Sequence, residues 1–297
     1  MTGSDRIDSC PPSSEPSRPL LINSKMVNLV VADGANVARA LSSRVATMAA
    51  EAINERGVFT MALSGGSLPS KLSQLATLDT QWDKWRIFFA DERCVALDHE
   101  DSNYRQCKEK LFDLITGLDP AHIYPIDPDV SPEECASKYS DLVRAVPPSL
   151  CPSNSAYMPT YTSPTSVPKF DCILLGMGPD GHTASLFPGH ELLQEMTKSV
   201  THILDSPKPP PSRITLTFPV LNASRCIIFV ATGESKAELL GQFFAVEGKG
   251  LKMVPGLIYP ASMVLPTAGS LTWLVDSAAA AQCGEDVMSK AELVKDT

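Results

Sequence analysis

The feature that most constrains this chain is the alternation of short, unbroken apolar runs with longer stretches of helical periodicity. "MVNLVVA" (residues 26–32) is strand-like, and Ala35–Arg56 then places Val37, Leu41, Val45 and Met48 on one helical stripe before stopping at Gly57. "VFTMAL" (58–63) reads as a buried strand, and "SGGSLPS" turns from it into a second helix. "RIFFA" (86–90) is a third strand that ends in Asp91-Glu92-Arg93, with a helix starting near Ser102. "FDCILLG" (170–176), "RITLTF" and "RCIIFVA" are further strands. A helix follows over 234–244, and "LTWLV" (271–275) precedes a terminal helix. Strands that are apolar at successive positions need cover on both faces. The expectation is an α/β fold, Rossmann-like, with a mostly parallel sheet and helices on both faces in a single domain.

Two stretches stand apart from that rhythm. Residues 1–24 are polar and rich in proline and acid, which reads as a disordered lead without a signal-peptide core. Residues 147–168 are rich in Pro, Ser and Thr and carry no charge, which reads as a surface insertion in a domain spanning 25–297. The net charge of −9 argues against a protein that coats nucleic acid or an anionic membrane. An anionic ligand would need the few cations gathered at one place. Of the eight cysteines none lies in C-x-x-C; Cys172 and Cys226 sit in apolar runs and read as small core residues. The expectations are therefore a reduced, cytoplasmic chain without metal, a monomer or small homo-oligomer with a small-molecule partner.

In open parallel sheets ligands bind at the carboxyl ends of strands. That rule selects Ser64-Gly65-Gly66-Ser67, Asp91-Glu92-Arg93, the loop from Gly176 to His182, and the loop from Thr232 to Lys236. The third contains Gly176-Met177-Gly178-Pro179-Asp180-Gly181, formally a dinucleotide fingerprint, with Asp205 at a tolerable distance for a ribose acid. Pro188, however, would break the long helix that such a site needs. The other reading makes the glycines space-makers that present Asp180 and His182, an imidazole base with a carboxylate to fix its tautomer. Ser64 to Ser67 offer free N–H groups suited to a phosphate, with no Walker lysine after them. Arg93 can pair with an anionic or polyhydroxylated ligand, with Asp91 binding hydroxyls or holding Arg93 in place. Arg213 precedes a strand. Lys236 opens a helix, where it opposes the helix dipole unless an anion is near. Asp98, His99, Glu100 and Asp101 read as a solvated loop opening a helix, not as a metal site.

Taken together, "LSGGSLP", "ADER", "LLGMGPDGHTASLFPGH", "SRITLTFPVLNAS", "FVATGESKAELL" and "PASMVLPTAGSLTWLVDSAAA" resemble the 6-phosphogluconolactonase family, in family order across nearly the whole chain. The resemblance implies a carboxylic ester hydrolase acting on 6-phospho-D-glucono-1,5-lactone in the pentose phosphate pathway, with neither cofactor nor required metal. It implies that His182 is the catalytic base and that Arg93 is an active-site residue. Gly65, Gly66, Arg213 and Lys236 fall where the group binds sugar phosphate. Residues 1–24 and 147–168 have no clear counterpart in the family. The related aminosugar-phosphate deaminases carry a glutamate where this chain has Phe187. A deaminase–isomerase, a nicotinamide-dependent dehydrogenase and a non-catalytic sugar-phosphate sensor remain the alternatives.

Overall fold

The computed structural model describes residues 26–145 and 167–295. The lead at 1–24 and nearly all of the 147–168 stretch lie outside the described residues. In chain order the strands are β1 (Val27–Ala32), β2 (Phe59–Leu63), β3 (Trp85–Phe89), β4 (Asp91–Arg93), β5 (Cys172–Gly176) and β6 (Val200–Ile203). They continue with β7 (Arg213–Leu216), β8 (Cys226–Ala231), β9 (Phe244–Glu247), β10 (Gly250–Met253), β11 (Ser270–Val275) and β12 (Glu292–Val294). The helices are α1 (Ala35–Arg56), α2 (Leu68–Lys71), α3 (Asn103–Lys110), α4 (Pro132–Arg144), α5 (Phe218–Ala223), α6 (Ala237–Phe243), α7 (Pro260–Met263) and α8 (Glu285–Met288).

Nine strands form one sheet in the order β3-β2-β5-β8-β11-β1-β10-β9, with β12 also on β1. From β3 to β1 every neighbouring pair is parallel; β10 and β9 are antiparallel. Successive side chains in a strand face opposite sides, and all five residues of β2 are buried, as are five of six in both β8 and β11. The sheet is therefore covered on both faces. Phe229 and Trp273 stack across β8 and β11 with ring centroids 4.1 Å apart. Helix α1 has the predicted bounds and stops at Gly57, which takes φ 75° and donates its N–H to Ile53 O. No helix among the described residues is long and apolar enough to cross a membrane.

Several expectations need correction. "RITLTF" is not in the main sheet. As β7 it is the centre of a second, three-stranded antiparallel sheet, β4-β7-β6. Asp91 to Arg93 do not close β3 but form a separate strand, β4, paired with β7. The chain leaves β3 at Ala90, whose N–H still bonds Leu63 O while its carbonyl accepts from Leu216 N, so one residue joins the two sheets. The terminal helix after β11 is replaced by turns, the single-turn α8 and β12, which pairs with β1. The helix expected over 234–244 shortens to α6, because Phe244 starts β9. Cys172 is buried as expected, whereas Cys226 at the mouth of β8 is only partly so.

The sheet reverses its direction of growth between β2 and β5. From β2 the chain moves outward to β3; from β5 it moves the other way to β8. Such a switch opens a crevice at the carboxyl ends of the two strands. At their opposite ends a buried carboxylate locks the same pair. Asp171, just before β5, accepts from Thr60 N and Thr60 Oγ1 at 2.9 Å, and meets Arg56 at 3.0 Å and Arg225 at 3.3 Å. Asp171→Ala removes the acceptor while leaving buried donors in place, so unfolding free energy should fall by about 3 kcal/mol. A urea melt checks this through a lowered midpoint.

Candidate functional site

A cavity of about 340 Å³ opens at the β2/β5 switch point. The loops after β2, β5 and β8 meet there with β4 and β7. Nine of the ten residues that the sequence nominates line it: Ser64, Gly65, Gly66, Ser67, Asp91, Arg93, His182, Arg213 and Lys236. The tenth, Asp180, stands behind His182.

The loop after β5 holds no helix, so the third glycine of the apparent fingerprint presents no helix N-terminus to a pyrophosphate. Asp205, the candidate ribose acid, lies 3.1 Å from His190 Nε2. The glycines make room. A Cβ on Gly178 would lie 2.0 Å from the His182 ring and 2.4 Å from Asp180 Oδ1. Gly181 adopts φ +80°, and a Cβ there would strike the Tyr259 side chain at 2.8 Å. The loop closes through Gly178 N–H to His182 O at 2.9 Å.

His182 Nδ1 lies 2.5 Å from Asp180 Oδ1. Phe187 stacks on the imidazole at 4.9 Å between centroids. Burial, the largest influence, holds the His182 proton affinity below the usual histidine range, against the hydrogen bond and charge of Asp180, which raise it. For Asp180, burial raises the pKa, but the His182 bond and the Lys208 charge outweigh it and the net direction is down.

Asp91 is buried and already engaged. Its two carboxylate oxygens accept from Ser64 Oγ and Ser185 Oγ, each at 2.9 Å. Glu92 serves α3: it accepts from the backbone N–H groups of Asn103 and Tyr104 and from Arg93 N, and burial raises it to about 7. Asn103 donates to Asp91 O at 2.8 Å, and a Cβ on Gly65 would sit 1.8 Å from Asn103 Oδ1. The Gly66 N–H is directed to Gln106 Oε1 at 3.3 Å. Asp98 to Asp101 form the turn that leads into α3, whose N-cap is Ser102.

The cations are concentrated. Arg93 and Arg213 are direct partners across β4 and β7. Like charges placed directly opposite destabilise a strand pair. Burial first and Arg93 second lower the pKa of Arg213. Arg93 donates through Nη1 to Asp101 O at 2.6 Å, while its Nε is buried without a partner among the described residues. Arg213 gives Nε to Pro210 O and Nη2 to Lys208 O and Pro209 O; Nη1 reaches Ser185 Oγ only at 3.5 Å. Lys236 forms the N-cap of α6, and burial and the charge of Lys208 lower its pKa. An anion in the cavity would relieve all three.

Sequence reasoning missed Lys208, Ser185 and Asn103. Lys208 Nζ lies 3.2 Å from His182 Nδ1 and 3.3 Å from Asp180 Oδ1. Ser185 is three residues beyond His182, and Asn103 follows the N-cap of α3. Neither position carries a local signal, because each acts by meeting Asp91 across the chain.

The family model described as glucosamine-6-phosphate isomerases/6-phosphogluconolactonase matches residues 32–273. A Schizosaccharomyces pombe protein named "Probable 6-phosphogluconolactonase" is 40% identical over 256 residues, covering 82% of this chain and 91% of its own. "Probable 6-phosphogluconolactonase 1" of Oryza sativa subsp. japonica is 41% identical over 81% of this chain and 79% of its own. The solved 6-phosphogluconolactonase from Trypanosoma cruzi superposes with a TM-score of 0.69 at 25% identity, covering 87% of this chain and 98% of that one. A monomeric glucosamine-6-phosphate deaminase shares the fold at 18% identity with a TM-score of 0.62. With its fold, its switch-point cavity and these relatives in agreement, the chain belongs to the glucosamine-6-phosphate isomerase/6-phosphogluconolactonase family.

Proposed function

We propose that this protein is an enzyme that hydrolyses 6-phospho-D-glucono-1,5-lactone to 6-phosphogluconate. The observation that carries the reading is an imidazole, with a carboxylate 2.5 Å from its Nδ1, in a cavity lined by Arg93, Arg213 and Lys236. The names of the relatives on both branches of the comparison point the same way.

The substrate phosphate brings roughly two negative charges at neutral pH. Lys236, Arg213 through Nη1, and the Gly65-Gly66 segment receive it. Each charge-assisted hydrogen bond contributes about 1.5–3 kcal/mol. The local cations thereby overcome the net charge of −9 and fix the lactone carbonyl near His182. With Nδ1–H donated to Asp180, Nε2 carries the lone pair that takes a proton from water as the water attacks C1. The tetrahedral oxyanion is met by the guanidinium of Arg93, which lines the cavity, and by backbone N–H groups. The C1–O bond to the ring oxygen then breaks, and the imidazolium returns its proton to that oxygen.

Phe187 separates this reading from the deaminase one. By the family resemblance it stands where the deaminases carry a glutamate, and its ring covers the imidazole without supplying an acid for ring opening. Incubation with glucosamine 6-phosphate should release no ammonia. Consumption of fresh lactone should exceed the uncatalysed decay.

His182→Ala should keep the fold and sugar-phosphate binding and lower kcat by about 10²–10⁴-fold; turnover at the wild-type rate would reject the base. The base must be deprotonated and its pKa is held below 6.5, so the acid limb of kcat/KM should lie below that value, with activity falling as pH drops through it. Gly178→Ala should force His182 and Asp180 apart and cost roughly 10²-fold in kcat with little change in KM, which steady-state kinetics would show.

A further inference from the structure

Lys208 lies in the proline-rich stretch 207–211, yet its ammonium is placed with unusual care for a side chain that is 39% exposed. Arg213 Nη2 donates to Lys208 O at 2.7 Å and to Pro209 O at 2.9 Å, and Arg213 Nε donates to Pro210 O at 2.9 Å. Ser206 Oγ donates to Lys208 O at 2.8 Å and accepts from Lys208 N at 3.3 Å. Five hydrogen bonds thus fix the backbone from which Nζ reaches the Asp180–His182 pair.

At that pair three groups meet over two atoms. His182 Nδ1 has Asp180 Oδ1 at 2.5 Å and Lys208 Nζ at 3.2 Å, and Lys208 Nζ has the same Oδ1 at 3.3 Å. Nδ1 cannot donate to the carboxylate and accept from the ammonium at once. The closer contact assigns its hydrogen to Asp180, so the ammonium donates to Oδ1 and faces Nδ1–H with its charge. Asp180 and the more distant Asp91 favour a second proton on the ring, and Lys208 opposes it. Phe187 covers one ring face, with the Arg213 guanidinium 5.7 Å from the Phe187 centroid, and Lys236 lines the same cavity. Without the ammonium, a close carboxylate would pull the imidazole toward the charged form, which cannot act as a base.

We propose that Lys208 is a positioning residue for His182: its ammonium holds Asp180 against Nδ1–H and keeps a second proton off the ring, so that Nε2 stays available as the base. This rests on the reading of His182 as the base. It also gives Arg213 a second task, holding the loop that carries Lys208.

The test follows the His182 ring C2–H by NMR titration of the full chain, assigned with His182→Gln, alongside pH profiles of kcat/KM. Lys208→Met should move both the ring titration and the acid limb upward by roughly one pH unit, the size expected of a single nearby charge. Lys208→Arg should restore both. Lys208→Gln provides the same comparison should the Met variant fail to fold. An unmoved ring titration, with only KM raised, overturns the role of Lys208 and leaves the lactonase reading standing. A ring titration that moves while the acid limb stays in place overturns His182 as the base, and this proposal with it.

Discussion

The site depends on one buried carboxylate. Asp91 takes Ser64 Oγ from the end of β2 and Ser185 Oγ from the loop after β5, while its own backbone begins β4 in the second sheet. Three chain segments that are distant in sequence are thereby joined at one side chain. Both of its oxygens are satisfied, as a carboxylate inside a protein requires. The result is a rigid rim: Ser64 leads into the glycine loop, Ser185 follows His182, and Arg93 lies two residues beyond Asp91 on the same short strand.

On that rim the electrostatics are deliberately unbalanced. Arg93 and Arg213 oppose each other across β4 and β7, and Lys236 sits at a helix start near Lys208. The cavity is thus a positive site in a chain of net charge −9. Arg213 is half-way between scaffold and ligand. Most of its donors are spent on carbonyls of residues 208–210, and the remaining nitrogen shares Ser185 with Asp91. An anion placed among these cations would relieve the repulsion between them.

Much of this was legible from the order of residues. Continuous apolar runs at β2, β5, β8 and β11 marked buried parallel strands, and the strand-end rule located four segments that do converge on one cavity. What escaped had a weak local signature or none. "RITLTF" alternates polar and apolar residues where β8 is apolar throughout, and its antiparallel pairing with β4 and β6 shows that it builds a different sheet. Helical periodicity after Val275 was overruled by tertiary pairing of β12 with β1. Lys208 looks like any lysine among prolines until Arg213 folds back on its carbonyl. Spacing could nominate Asp180 and His182 but not their contact; the close approach of Gly178 is what makes it.

The placement of β1 has a consequence for biosynthesis. The first strand of the main sheet finds its neighbours in β10, β11 and β12, more than two hundred residues further along. As the ribosome extends the chain, β2, β3 and β5 can associate early, but the apolar edge of β1 must stay without its partners until the closing segments emerge. Long-range pairing of this kind slows assembly and leaves an open strand edge during translation. The newly made protein therefore spends its most aggregation-prone interval with the N-terminal strand waiting, and chaperone dependence should be concentrated in that window.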